Sequence, residues 1–333
     1  MEEFKVNQEN SGINRIVGVD EDLEKELLKY FERVFENNST DGEEIIKPAE
    51  LENIIARINS VLVDFLGRYG INAINIPSKN IHVIDRTKFD PVGLAKLQEK
   101  FKTDNGFFIA LKQAIGILKE YKEDEKLSFL QTLIHEIMHF ESFHSLEETD
   151  SEFSERNLEN VDKRISLKTR RSGFSIASKD GEMMYFHYID EVVITELAIR
   201  FEQQYFNGWP EVRDEINERN RYLERMSVRE NIPLSRLMLG AASLRRKVDE
   251  DGNAKYVAIT HSYNDDRIIF HQLLNQLFVK NKDTFDSEEQ IFNLFAKATL
   301  TGKLLPVARL IEKTFGKGSF RIMGIKSSDK YSI

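Results

Sequence analysis

Apolar residues recur at helical spacing in several long stretches of the chain. From Asp20 to Asn38, Leu23, Leu27, Phe31 and Phe35 fall every fourth residue with charges between them, the pattern of an amphipathic helix. Pro48 to Gly70 reads the same way, with Pro at its start and Gly at its end. NIHVID, Asn80 to Asp85, has the composition of a buried strand. DNGFFIALKQAIGIL, Asp104 to Leu118, opens on a turn signal and continues as a strand or bent strand pair. A helix of about five turns is expected from about Glu125 to Ser145. An acidic stretch, LEETDSEFSERNLENVDKR, follows and reads as a mobile surface loop able to gate entry to whatever the helix carries. Residues 165–189 read as two strands turning at SKDGE, and a second long helix begins near Asp190.

Beyond NGWP the chain becomes more charged, and Pro210 is the expected boundary between a region 1–209, with its core at about 80–205, and a mainly helical region 210–333. That second part predicts a helix to about Asn231, a hairpin within LRRKVDEDGNAKYVAIT and helices near 264–280, 287–299 and 304–315. The expected fold class is therefore α+β, a small mixed sheet with active-site helices followed by a largely helical half.

Composition narrows the chemistry. Of 333 residues, 41% are hydrophobic and 10% aromatic, enough for a packed core. The net charge of −9 and scattered basic residues argue against a nucleic-acid partner. No signal peptide and no membrane-spanning run is legible, so a cytoplasmic protein is expected, without a membrane partner. There is no cysteine, so any metal must be held by His, Asp or Glu.

One stretch points to such a metal. SFLQTLIHEIMHFESFHS, Ser128 to Ser145, contains His135-Glu136-Ile-Met-His139. On a helix His135 and His139 differ by about 40° in direction, which sets two imidazoles side by side for one zinc ion. Glu136 then stands where a general base is needed beside a metal-activated water. Composition alone gives roughly 0.02 such matches per chain of this kind, so chance is a poor explanation. The apolar flanks imply a buried helix, in which paired imidazoles and a carboxylate are costly without partners. Some zinc peptidases take a third histidine six residues after the second, beyond a helix-breaking glycine. His144 follows His139 by five, with no Gly or Pro between, and on a continuing helix it points about 180° from His135. It reads as a packing or hydrogen-bonding residue.

The second helix offers Glu191 and Glu196, about 140° apart, of which only one can face the metal. Asp190 reads as a helix N-cap. His135-Glu136-Ile-Met-His139, a hairpin and then a Glu-bearing helix resemble the gluzincin zinc metallopeptidases, the thermolysin-like branch of the zincins. The resemblance spans roughly 105–204. It implies a zincin-like fold, one zinc ion, a peptide or protein substrate, and Glu191 as third ligand, since Asp190-Glu191-Val-Val-Ile-Thr195 stands where the family has Asn-Glu-x-x-x-Asp/Glu. Thr195 replaces the family's histidine-buttressing acid, a role that Thr195 could fill weakly or that Glu196 could take over. It further implies an oxyanion-stabilising side chain, for which Tyr185, His187, Tyr188, His261, Tyr263 and Arg267 are candidates. His82 and His271 read as satisfied core or rim residues. The expected function is peptide-bond hydrolysis by a metal-activated water with Glu136 as base. The alternative is a non-catalytic scaffold of the same fold with a structural or lost metal site.

Overall fold

The computed structural model describes residues 11–38, 44–90, 92–96, 105–149, 156–158, 165–248, 254–261 and 263–330. Helix α1, Glu21–Glu36, starts where the Asp20 side chain accepts from the Leu23 backbone N–H at 2.9 Å. It buries Leu27, Phe31 and Phe35 on one face. Helix α2, Ala49–Gly67, follows Pro48 and buries a seven-residue apolar stripe from Leu51 to Leu66. Both helices lie where hydrophobic spacing predicts them.

Helix α3, Lys126–Glu141, carries the two histidines, and helix α4, His187–Tyr205, carries Glu191. Then come α5 (Pro210–Glu230), α6 (Leu234–Gly240), α7 (Asn264–Lys280), α8 (Glu288–Thr301), α9 (Leu305–Phe315) and α10 (Ser319–Lys326). The expected helices of the C-terminal part are present, and α6 and α10 are additions to them.

Three small sheets complete the fold. Strand β1 (Arg15–Val17) runs parallel to β5 (His144–Thr149) at the edge of the largest sheet. That sheet continues antiparallel through β7 (Ile165–Ser172), β8 (Ser175–Ala177), β9 (Met183–Tyr185) and β12 (Asp329–Lys330), and β6 (Arg156–Leu158) pairs with β7. A second sheet orders β2 (Ile81–Val83), β4 (Ala114–Ile117) and β3 (Gly106–Ile109). The third is the hairpin of β10 (Ala241–Val248) and β11 (Ala254–Thr260). The chain is thus a mixed α and β protein with small mixed sheets.

The main core joins residues from both sides of Pro210: Leu133, Val193 and Phe201 pack in the same cluster as Ile216, Phe270 and Phe295. The core therefore continues across Pro210, which itself opens α5 at its first turn. Among the described residues no helix is long and apolar enough to cross a membrane.

Four expectations need correction. The histidine helix ends at Glu141, one turn early, because Ser142 turns to an extended conformation and its hydroxyl bonds the His139 carbonyl at 2.7 Å. The start of the acidic stretch, Leu146–Thr149, is not a loop but part of β5, held against β7; much of the remainder lies outside the described residues. Residues 165–185 form three strands, because Gly173, at φ 54°, turns the chain between β7 and β8 as well. Finally α4 begins at His187, not near Asp190.

Candidate metal centre

Helix α3 crosses α4 in the core, and one face of α3 presents His135 and His139 toward α4. Its N-terminus is satisfied from another element: the Glu215 carboxylate of α5 accepts from the Leu127 backbone N–H at 3.2 Å. Its C-terminus is satisfied by His144. The buried His144 Nε2 donates to the His139 carbonyl at 2.7 Å, and burial holds this imidazole down to about 4, so it stays neutral. His144 is therefore a cap on the histidine helix, as its exclusion from the ligand set requires. The reason differs from the expected one, because the helix ends before it.

His135 Nε2 and His139 Nε2 face each other at 3.2 Å, and Glu191 Oε2 lies 3.4 Å from each. These three ligand atoms form a group able to hold a metal ion. Ligands about 2.0–2.1 Å from a tetrahedral zinc ion stand roughly 3.3–3.4 Å from one another. The observed edges of 3.2, 3.4 and 3.4 Å have that size. The donor set, two imidazoles and a carboxylate, suits zinc in a chain without thiols.

The electrostatics agree with a cation at this point. Burial opposes a proton on His139, but the Glu191 carboxylate outweighs it and lifts the imidazole to about 9. Burial works to raise Glu191, yet His139 and His135 hold it well below the usual carboxylate range. Glu136, buried beside them, is raised by burial, with His135 and His139 pulling the other way. Strand β3 passes so close that a Cβ on Gly106 would stand 3.1 Å from Glu136 Oε1 and 2.9 Å from Thr132 Cγ2.

The other candidates separate clearly. Thr195 reaches His135 Nδ1 only at 3.5 Å, the limit of a hydrogen bond. Glu196 points away and is held in a buried ion cluster, with Arg267 Nε at 2.8 Å, Arg200 Nη1 at 2.7 Å and His271 Nε2 at 2.9 Å. These partners keep it ionised at about 2 against the cost of burial, so it takes neither the ligand role nor the buttressing one. Asp190 is not the N-cap of α4. It lies buried in the first turn, where its Oδ1 accepts from the Phe174 backbone N–H at 2.6 Å and ties the β7–β8 turn to the glutamate helix.

Of the six oxyanion candidates, Tyr263 is pushed up by burial and by the nearby Glu191 charge, and His187 Nδ1 stands 4.0 Å from Glu191 Oε1. Burial holds His261 near a neutral form, down to about 3, within the field of His135. Tyr188 packs its ring on His187 and, at 6.5 Å, on Tyr263. Tyr185 packs against the core from β9, and Arg267 is fully buried on Glu196. His82 and His271 are both satisfied, by Glu44 and Glu196. No motif in the sequence marks Tyr263 over its neighbours; it comes within the field of Glu191 because α7 packs on α4. No family profile, curated protein or solved structure matches the chain.

Proposed function

We propose that the protein is a zinc-dependent peptidase in which His135, His139 and Glu191 hold one zinc ion and Glu136 is the general base. The observation that carries this reading is the triangle of Nε2, Nε2 and Oε2 atoms, whose edges match those of a tetrahedral zinc site. A bound ion supplies Lewis acidity, polarising a carbonyl and acidifying a water. Three protein ligands rather than four is the arrangement of catalytic rather than closed structural sites.

Glu136 supports the same reading. Burial raises its proton affinity, which suits a carboxylate that must take a proton from water and later deliver it to a leaving amine. A purely structural site has no use for a buried carboxylate beside the ligands. Peptide as the substrate class rests on the gluzincin resemblance of the two helices. The reading of a non-catalytic scaffold draws on one observation, the neutral and distant Thr195 in place of a buttressing acid.

Metal analysis of the purified protein together with Glu136→Gln separates the two. We expect about one zinc per chain in both forms, and hydrolysis of a peptide mixture only in the wild type. Zinc-loaded wild type and Glu136→Gln that are equally inactive would favour the scaffold, and a wild type that takes up no zinc would end both metal readings.

A further inference from the structure

We propose that a polar pocket between the C-terminal ends of α2 and α4 and the first turns of α8 is a binding site for a small zwitterion, chemically a free amino acid. The inference stands apart from the metal reading. The pocket has a volume of about 380 Å³, within the range of small-molecule sites. It includes Arg200, nine residues and about 13 Å along α4 from Glu191.

The end of α2 supplies one wall. Arg68 and Tyr69 lie in the turn that follows Gly67, closed by the Tyr69 backbone N–H on the Leu66 carbonyl at 2.9 Å and continued by Gly70 at φ 77°. The Tyr69 ring packs edge-on against Phe65, with 5.8 Å between centroids, and the residue is only 6% exposed. Tyr69 nevertheless lines the pocket, and its hydroxyl has no hydrogen-bond partner among the described residues. A phenol buried this deeply ordinarily has one. Burial raises this phenol above its ordinary value, and Arg200, Glu289 and Arg68 all act on it, so three charges lie near the hydroxyl.

The other walls come from two helix faces. Arg200, Gln203 and Gln204 share one face of α4, and Glu289 and Asn293 share one of α8. The two guanidinium groups differ. Arg200 Nη1 lies 2.7 Å from Glu196 Oε2, its Nη2 lies 3.0 Å from Glu289 Oε2, and its plane covers the Phe292 ring at 3.6 Å. Glu196 and Glu289 together balance Arg200 and Arg267. Arg68 donates to the neutral Gln204 Oε1 at 2.6 Å and has no carboxylate partner among the described residues. One positive charge is therefore left over at the pocket, with N–H groups to spare. That suits a single carboxylate, which a guanidinium takes through two parallel hydrogen bonds. Glu289 uses only Oε2 on Arg200, which leaves Oε1 to accept from an ammonium group. Gln203 and Asn293, also without partners among the described residues, offer amide groups to a polar side chain.

The test is isothermal titration of the full chain with the common protein amino acids singly, with acetate and with inorganic phosphate, each in zinc and in excess chelator. We expect saturable one-site binding of at least one amino acid, equal in both conditions, with acetate and phosphate weaker. Arg68→Gln should weaken it by about tenfold or more, the loss of a charged hydrogen-bonding partner. Tyr69→Phe should weaken it by roughly three- to tenfold with Tm unchanged, since the hydroxyl bonds nothing in the free protein. Glu289→Gln should weaken the amino acid and leave acetate no weaker, because only the amino acid carries an ammonium group. No binding of any amino acid, or binding untouched by both Arg68→Gln and Tyr69→Phe, would overturn the proposal. Binding that requires zinc would place the ligand at the metal centre and overturn it as well. Phosphate binding more tightly than every amino acid would overturn the zwitterion as ligand, and equal losses of acetate and amino acid in Glu289→Gln would overturn the ammonium contact.

Discussion

Glu191→Gln is the most direct perturbation of the proposed centre. It keeps the volume of the side chain and its place on α4, but removes the anionic oxygen that stands 3.4 Å from both imidazoles. Four-ligand zinc sites bind with about 10–16 kcal/mol, so one ligand's share is about 3 kcal/mol, or roughly a hundredfold in Kd. With zinc at a thousand times the wild-type Kd, binding stabilises the fold by about 4 kcal/mol. For a hundredfold weaker site the same concentration gives about 1.4 kcal/mol. At about 2 °C per kcal/mol for a chain of this size, the zinc-induced rise in Tm should fall from roughly 8 °C to roughly 3 °C.

The assay is a pair of thermal melts for each protein, one with excess chelator and one with zinc, and the increment is compared. The absolute Tm is not the readout, because Glu191 also attracts the half-buried His139 and its loss changes the zinc-free protein. A variant with the wild-type zinc increment would refute the assignment of Glu191 as a ligand and the tetrahedral triangle with it.

Two further outcomes follow from the same coordinates. Gly106→Ala places a Cβ 3.0 Å from Glu136 Cγ, so it should displace the proposed base by a few tenths of an ångström while sparing the ligands. Peptide hydrolysis should fall by roughly tenfold with zinc affinity unchanged, as assays of both on one preparation would show. Glu141, buried at the end of α3 and bonded among the described residues only to the Ile74 backbone N–H, is pushed by burial from 4.5 up to about 8. The folded chain then holds a proton that the unfolded chain releases, so this group costs nothing below about pH 4.5 and an increasing amount up to pH 8. The full cost is about 4–5 kcal/mol. Glu141→Gln removes it, and urea unfolding should show the variant gaining on wild type from pH 5 to pH 8; parallel pH profiles would contradict this.

Local pattern alone was enough to determine much of this protein. Helices α1, α2, α7, α8 and α9 stand where apolar spacing, Pro starts and Gly ends put them, because an amphipathic helix encodes its buried face in its own period. The i, i+4 histidines and Glu136 were legible for the same reason, since one helix fixes their relative directions. Short strands were not legible. Arg15–Val17 and Leu146–Thr149 carry no strong alternation and become strands only by pairing with each other and with β7. The histidine helix stops at Glu141 because His144, from the strand beyond, satisfies its end.

The third vertex of the site needed tertiary structure. Sequence offered Glu191 and Glu196 on one helix, and the resemblance favoured the first. The packing of α3 and α7 on opposite faces of α4 gives Glu191 to the histidines and Glu196 to Arg267. Likewise no pattern selects among the six oxyanion candidates; Tyr263, 72 residues from Glu191 and just before a different helix, comes within its field only through packing. A side chain's direction within one helix follows from a fixed rotation per residue, whereas contact between helices follows from how their faces pack, which the chain settles only when the whole core closes.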